Sequence, residues 1–174
     1  GMGGLGKTTL VKKVYDDPDV KKQFKFRAWI TVSQSFKKEE LLKDIIRQLF
    51  RVHRKPGPKG VDSMDYDKLR TVINKFLQQK KYLIVLDDVW HTSAWGAFQH
   101  ALPNNNCGSR IMVTTRNTEV ASTACMDFPD RVFPLDPLSQ EESWILFCKK
   151  IFQSNTCPPH LKNVSNGLPL ALKV

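Results

Sequence analysis

The stretch Gly1-Met2-Gly3-Gly4-Leu5-Gly6-Lys7-Thr8-Thr9 matches G-x-x-x-x-G-K-[ST] through Gly1, Gly6, Lys7 and Thr8. Glycines at this spacing let successive backbone N–H groups turn inward, because a Cβ would block the approach of a phosphate. A helix that starts at the loop adds the positive end of its dipole. Lys7 then serves as a point charge for β- and γ-phosphates, and the Thr8 hydroxyl as an oxygen ligand for Mg2+. A Gly-rich turn without a ligand is the alternative reading of these residues alone. The amphipathic run from Lys7 to Tyr15, stopping before Pro18, favours the cradle. The pattern normally follows a buried strand. The sequence opens on its first glycine, so a piece of a longer protein is expected, without the strand that aims the loop.

A second stretch completes such a site. Tyr82-Leu83-Ile84-Val85-Leu86 is a continuous apolar run, as in a strand buried on both faces, and Asp87-Asp88 ends it. Carboxylates at the C-terminal tip of a strand project where ligands sit in open α/β sheets. Asp87 is placed to hold Mg2+ through water, and Asp88 to orient or deprotonate an attacking water. Alone, an Asp-Asp pair after an apolar run is also an ordinary turn. Thr114-Thr115-Arg116 ends the next strand, where a guanidinium reads either as a bidentate γ-phosphate contact or as a surface residue.

Between these motifs, strands and helices alternate. Strands are expected over Phe26–Val32, Tyr82–Leu86 and Arg110–Thr115, with a short one over Val132–Leu135. Ser35 is the expected cap of a helix with Leu41, Leu42, Ile45, Ile46, Leu49 and Phe50 on its apolar face. Ser63 is the expected start of another, through Leu69, Val72, Ile73, Phe76 and Leu77. Ser139-Gln140-Glu141-Glu142 is a capping box for a helix through Phe152. This alternation implies an α/β parallel sheet.

Composition bounds the rest. The chain has 174 residues, 41% hydrophobic and 25% charged, which suits one soluble domain and excludes fibrous or low-complexity classes. No apolar run approaches the roughly 20 residues that span a bilayer, and no signal pattern is evident. The four cysteines, Cys107, Cys125, Cys148 and Cys157, form no C-x-x-C pair, so reduced thiols in a cytoplasmic protein are expected and no zinc site. The histidines lack ligand spacing, and Trp29, Trp90, Trp95 and Trp144 read as core. Net charge is +10, concentrated in residues 1–60, which hold 15 basic and 6 acidic residues. A polyanion partner, a solvated face and a docking surface all fit this skew. The lysines do not interleave with aromatics, which argues against nucleic acid. The basic loop over 51–60 reads as a solvated linker.

In order, the opening loop, Phe26-Arg27-Ala28-Trp29-Ile30-Thr31-Val32-Ser33-Gln34, Leu86-Asp87-Asp88-Val89-Trp90, Gly108-Ser109-Arg110-Ile111-Met112-Val113-Thr114-Thr115-Arg116 and Gly167-Leu168-Pro169-Leu170-Ala171 resemble the NB-ARC domain of plant NBS-LRR disease-resistance proteins. Trp90 after the acidic pair resembles the coiled-coil subclass. The resemblance implies a P-loop NTPase of the STAND/AAA-like type, its parallel sheet lacking the Walker A strand, over residues 1–137. The start of a small helical ARC lobe would cover 138–174. It implies an ADP/ATP switch with Mg2+ that holds ADP at rest, exchanges it for ATP and then forms a homo-oligomer, at most a slow ATPase. Its other partners would be the coiled-coil, winged-helix and leucine-rich-repeat domains of the parent receptor.

Carried over residue by residue, Gly1, Gly3, Gly4, Gly6, Lys7, Thr8 and Thr9 would bind nucleotide. Thr8 and Asp87 would serve Mg2+, Asp88 would be the catalytic acid, Arg116 would sense the γ-phosphate, and Pro169 would pack on adenine. The chain departs from the family in three places. The Walker A strand is central in the family, so its loss should leave two neighbouring strands without ladder partners. The segment before Gly167 is about two helical turns short. The winged-helix lobe with its β-phosphate histidine lies beyond Val174. Two other classes stay open. A P-loop phosphotransferase would pass phosphate rapidly to a small acceptor. A nucleic-acid-stimulated ATPase would hydrolyse faster on adding DNA or RNA, with steep salt dependence.

Overall fold

A computed structural model describes residues 4–54, 56–104, 106–126, 131–156 and 158. Gly1, Gly3 and Pro169 lie outside the described residues, as do Cys157 and the segment before Gly167. Two compact units are present: Thr8–Phe133, and a second that gathers residues 4–7 and 134–156.

Helix α1 (Lys7–Asp16), which enters the first unit at Thr8, and helix α2 (Pro18–Gln23) precede strand β1 (Phe26–Thr31). Helix α3 (Lys38–Val52), a 3₁₀ turn (Val61–Ser63) and helix α4 (Tyr66–Leu77) lead to strand β2 (Tyr82–Val89). Helix α5 (Thr92–Gln99), strand β3 (Arg110–Thr115) and helix α6 (Thr118–Ala124) follow. The sheet is parallel with order β1-β2-β3, aligning Ala28 with Ile84 and Ile84 with Ile111. The expectation that two strands stand without ladder partners is not met, since β2 pairs directly with β3. Nor is there a strand over Val132–Leu135, whose described backbone forms no ladder.

β2 is buried from Tyr82 to Asp87, which accounts for its unbroken apolar run. One face of α3 (Leu42, Ile45, Ile46, Leu49) and one of α4 (Leu69, Ile73, Leu77) close the core against Ala28, Ile30, Ile84 and Leu86. β1 lies at the sheet edge, and its Trp29 N–H and C=O are met by one carboxamide. Gln48 Oε1 accepts from Trp29 N at 2.8 Å and Gln48 Nε2 donates to Trp29 O at 2.7 Å.

Two helix starts move. Ser35 does not cap α3; its N–H donates to Ser33 Oγ in a tight turn at 3.1 Å, and α3 begins after Lys37. Ser63 ends the 3₁₀ turn, and Asp65 caps α4 by accepting from Lys68 N at 2.9 Å. Helices α2, α5 and α6 are additional to the expected set. Short length hides their periodicity, although Asp17 before Pro18 and Asn117 before Thr118 are proper N-caps. In the second unit, helix α7 (Gln140–Phe152) carries the expected capping box of Ser139 and Glu142. Among the described residues no helix is long and apolar enough to cross a membrane.

Candidate functional site

The site grows from the tips of β2 and β3 and the start of α1. Gly4 and Gly6 have φ of +77° and +82°, the left-handed conformation a side chain resists, just before α1 opens at Lys7. Thr8, in the first turn of α1, donates its hydroxyl to Asp87 Oδ1 at 2.8 Å. That bond links the opening motif to the acidic pair across 79 positions of sequence. Thr9 is exposed on α1 and has no side-chain hydrogen bond to the aspartates among the described residues.

Asp87 is only 6% exposed. Its Oδ1 also accepts from Thr114 Oγ1 at 2.6 Å, and its backbone O accepts from Val32 N at 2.8 Å. A carboxylate pinned in this way is an ordered anion with hard oxygen ligands. The Thr8 hydroxyl and Asp87 carboxylate are hard oxygen donors of the kind that would suit a magnesium ion.

Asp88 sits where the β2–β3 ladder slips. Leu86 aligns with Val113 but Val89 with Thr115, so two residues of β2 face the single Thr114. Asp88 takes φ +56° at this bulge, and its N–H donates to Thr114 Oγ1 at 2.8 Å. Its carboxylate Oδ1 lies 3.6 Å from Arg116 Nε. The Arg116 guanidinium also lies 5.1 Å from the centre of the Trp90 ring. Trp90 is thus not a core residue as expected; it is half-buried and forms a platform at the site rim.

Of the expected site residues, Thr8 meets Asp87 and Asp88 meets Arg116. Gly4, Gly6 and Lys7 lie at the opening of α1. Thr114 and Trp90 join these residues with no sign of it in the sequence. Threonine is a strand former, so a Thr in a β-run gives no sign that its hydroxyl is used. A tryptophan beside an apolar run reads as core for the same reason.

Comparison with known proteins identifies the family. The family model described as the NB-ARC domain matches residues 1–157. Over 99% of its length the chain is 33% identical to the disease resistance protein RPM1 of Arabidopsis thaliana, covering 20% of that protein. Over 88% of its length it is 40% identical to the disease resistance protein RPP13 of the same plant, covering 18%. Over 98% it is 39% identical to a putative late blight resistance protein homolog of Solanum demissum, covering 12%. The chain therefore spans a fifth or less of the length of these relatives. On the match over residues 1–157 and these identities, the chain belongs to the NB-ARC domain family, nucleotide-binding domains of the P-loop NTPase type from plant disease resistance proteins.

Proposed function

We propose that this chain is the ADP/ATP switch module of a plant immune receptor of the coiled-coil class, acting in the cytoplasm. Residues 1–137 form the nucleotide-binding part, and 138–174 begin a helical lobe. The observation that carries this reading is the Thr8–Asp87 hydrogen bond of 2.8 Å, because two separate nucleotide motifs meet in it.

Lys7 and the backbone N–H groups of the glycine loop hold the phosphates. Thr8 and Asp87 hold Mg2+, which when bound neutralises phosphate charge. Asp88 orients the attacking water and accepts its proton. Arg116 turns from Asp88 to the γ-phosphate, a charge-assisted contact that ADP cannot offer. Pro169 packs on adenine from the helical lobe. Hydrolysis is slow, since the output of a switch is a population of conformers. Exchange of ADP for ATP leads to a homo-oligomer and defence signalling through the coiled-coil, winged-helix and leucine-rich-repeat domains.

The test is to purify the full-length protein, denature it and identify released nucleotide by chromatography. Near-stoichiometric ADP is expected, and Lys7→Arg, which replaces a compact point charge by a planar fork, should lose it. A folded wild-type protein that neither carries nor takes up adenine nucleotide would end this reading.

A further inference from the structure

A bulge in a parallel ladder is uncommon, and this one falls on the two carboxylates. Regular strand alternation would send Asp87 and Asp88 to opposite faces of the sheet. The slip between Leu86 and Val89, with Asp88 at φ +56°, breaks that alternation at the pair. A left-handed residue that is not glycine is uncommon inside a strand, although aspartate tolerates it better than most. Here a hydroxyl holds it. Thr114 is 4% exposed, and its Oγ1 donates to Asp87 Oδ1 at 2.6 Å while accepting from Asp88 N at 2.8 Å. Each half of the hydroxyl is thereby used, the proton on one aspartate and a lone pair on the other. The neighbouring Thr115 repeats the device one step on, donating its hydroxyl to Val89 O at 2.6 Å.

We propose that Thr114 is the positioning residue of the site, whose one buried hydroxyl gives the adjacent aspartates different tasks. It orients the Asp87 carboxylate beside Thr8 for a divalent cation. It locks the bulge that turns Asp88 toward Arg116, 3.6 Å away. Thr114 touches neither nucleotide nor metal; it acts through both carboxylates. This inference rests on the nucleotide-switch reading above.

The experiment uses the full-length protein with Thr114→Val, Thr114→Ala and Thr114→Ser. ADP and ATP affinities are measured by calorimetry in MgCl2 and again in EDTA, and single-turnover hydrolysis is followed in parallel. Valine keeps the shape and removes the hydroxyl, and alanine is read the same way where the valine variant does not fold. The expected result is that Val or Ala loses about tenfold or more of the affinity gained from Mg2+. Affinity in EDTA should stay within about twofold, and Ser should restore the gain. A purely structural Thr114 would lower affinity equally in MgCl2 and EDTA, and that result overturns the proposal. So does a Val or Ala variant with wild-type Mg2+ dependence, or a Ser variant as impaired as Val. Absence of nucleotide binding by the wild type would remove the switch reading itself, and the proposal with it.

Discussion

Arg116 and Asp88 face each other at 3.6 Å across the tips of β3 and β2, with the guanidinium resting on the ring of Trp90. Both charged side chains are more than a third exposed, at 47% and 36%, so solvent screens the pair and it adds little to stability. In the proposed switch, the pair would hold Arg116 ready for a third phosphate.

Asp88→Asn isolates the charge, because asparagine tolerates the left-handed backbone as well as aspartate does. Stability should change by less than about 1 kcal/mol. Single-turnover phosphate release should fall by about 100-fold or more, the size of a lost general base. ADP affinity should stay within about twofold, and its loss would show that Asp88 binds ligand and is not the base.

Trp90→Leu removes the ring beneath Arg116 while keeping an apolar side chain. A cation–π contact at an exposed site is worth about 0.5–1 kcal/mol. The ring holds the parked arginine, so preference for ATP over ADP should rise by about two- to fivefold in the Leu variant, and Trp90→Phe should undo part of the change. Competition titrations with the two nucleotides read this directly, and equal preference in wild type and Leu variant would remove the platform role.

Gln48→Leu leaves the Trp29 N–H and C=O of the edge strand without the carboxamide that meets both. Chemical denaturation should show a loss of about 1–3 kcal/mol. Gln48→Glu is the sharper control, since at neutral pH a carboxylate oxygen would face the Trp29 carbonyl. That variant should be less stable than wild type at neutral pH and should regain part of the loss as pH falls and the carboxyl protonates.

Tyr82 supplies a pH prediction at the other end of β2. Burial, with a smaller contribution from Cys107, pushes its hydroxyl pKa up from 10 to about 12. The hydroxyl donates to Pro103 O at 3.0 Å. In the unfolded chain the phenol ionises near its ordinary value of about 10. Between these values the folded state holds the proton and the unfolded state has lost it, so stability falls as pH rises from about 10 to 12. Tyr82→Phe should abolish this part of the slope and cost roughly 1 kcal/mol at neutral pH. Ultraviolet titration of a phenolate near pH 10 in the folded protein would contradict the assignment.

The features that residue identity alone makes legible are local or periodic. Leu42, Ile45, Ile46 and Leu49 announce their buried face by spacing, and Leu83–Leu86 announce a buried strand by continuity. The glycine loop and the acidic pair were legible because close approach to phosphate narrows the choice of residues. Tertiary structure alone decided the pairing of β2 with β3, the extra residue at Asp87-Asp88, and the use of Thr114, Trp90 and Gln48. These depend on partners 19 to 27 positions away. Ladder register is a property of two strands together, and no side chain carries its own register in its identity. A hydroxyl or carboxamide becomes a pin only when folding places a donor and an acceptor on either side of it. The strand propensity that made Thr114 predictable as β is indifferent to that placement.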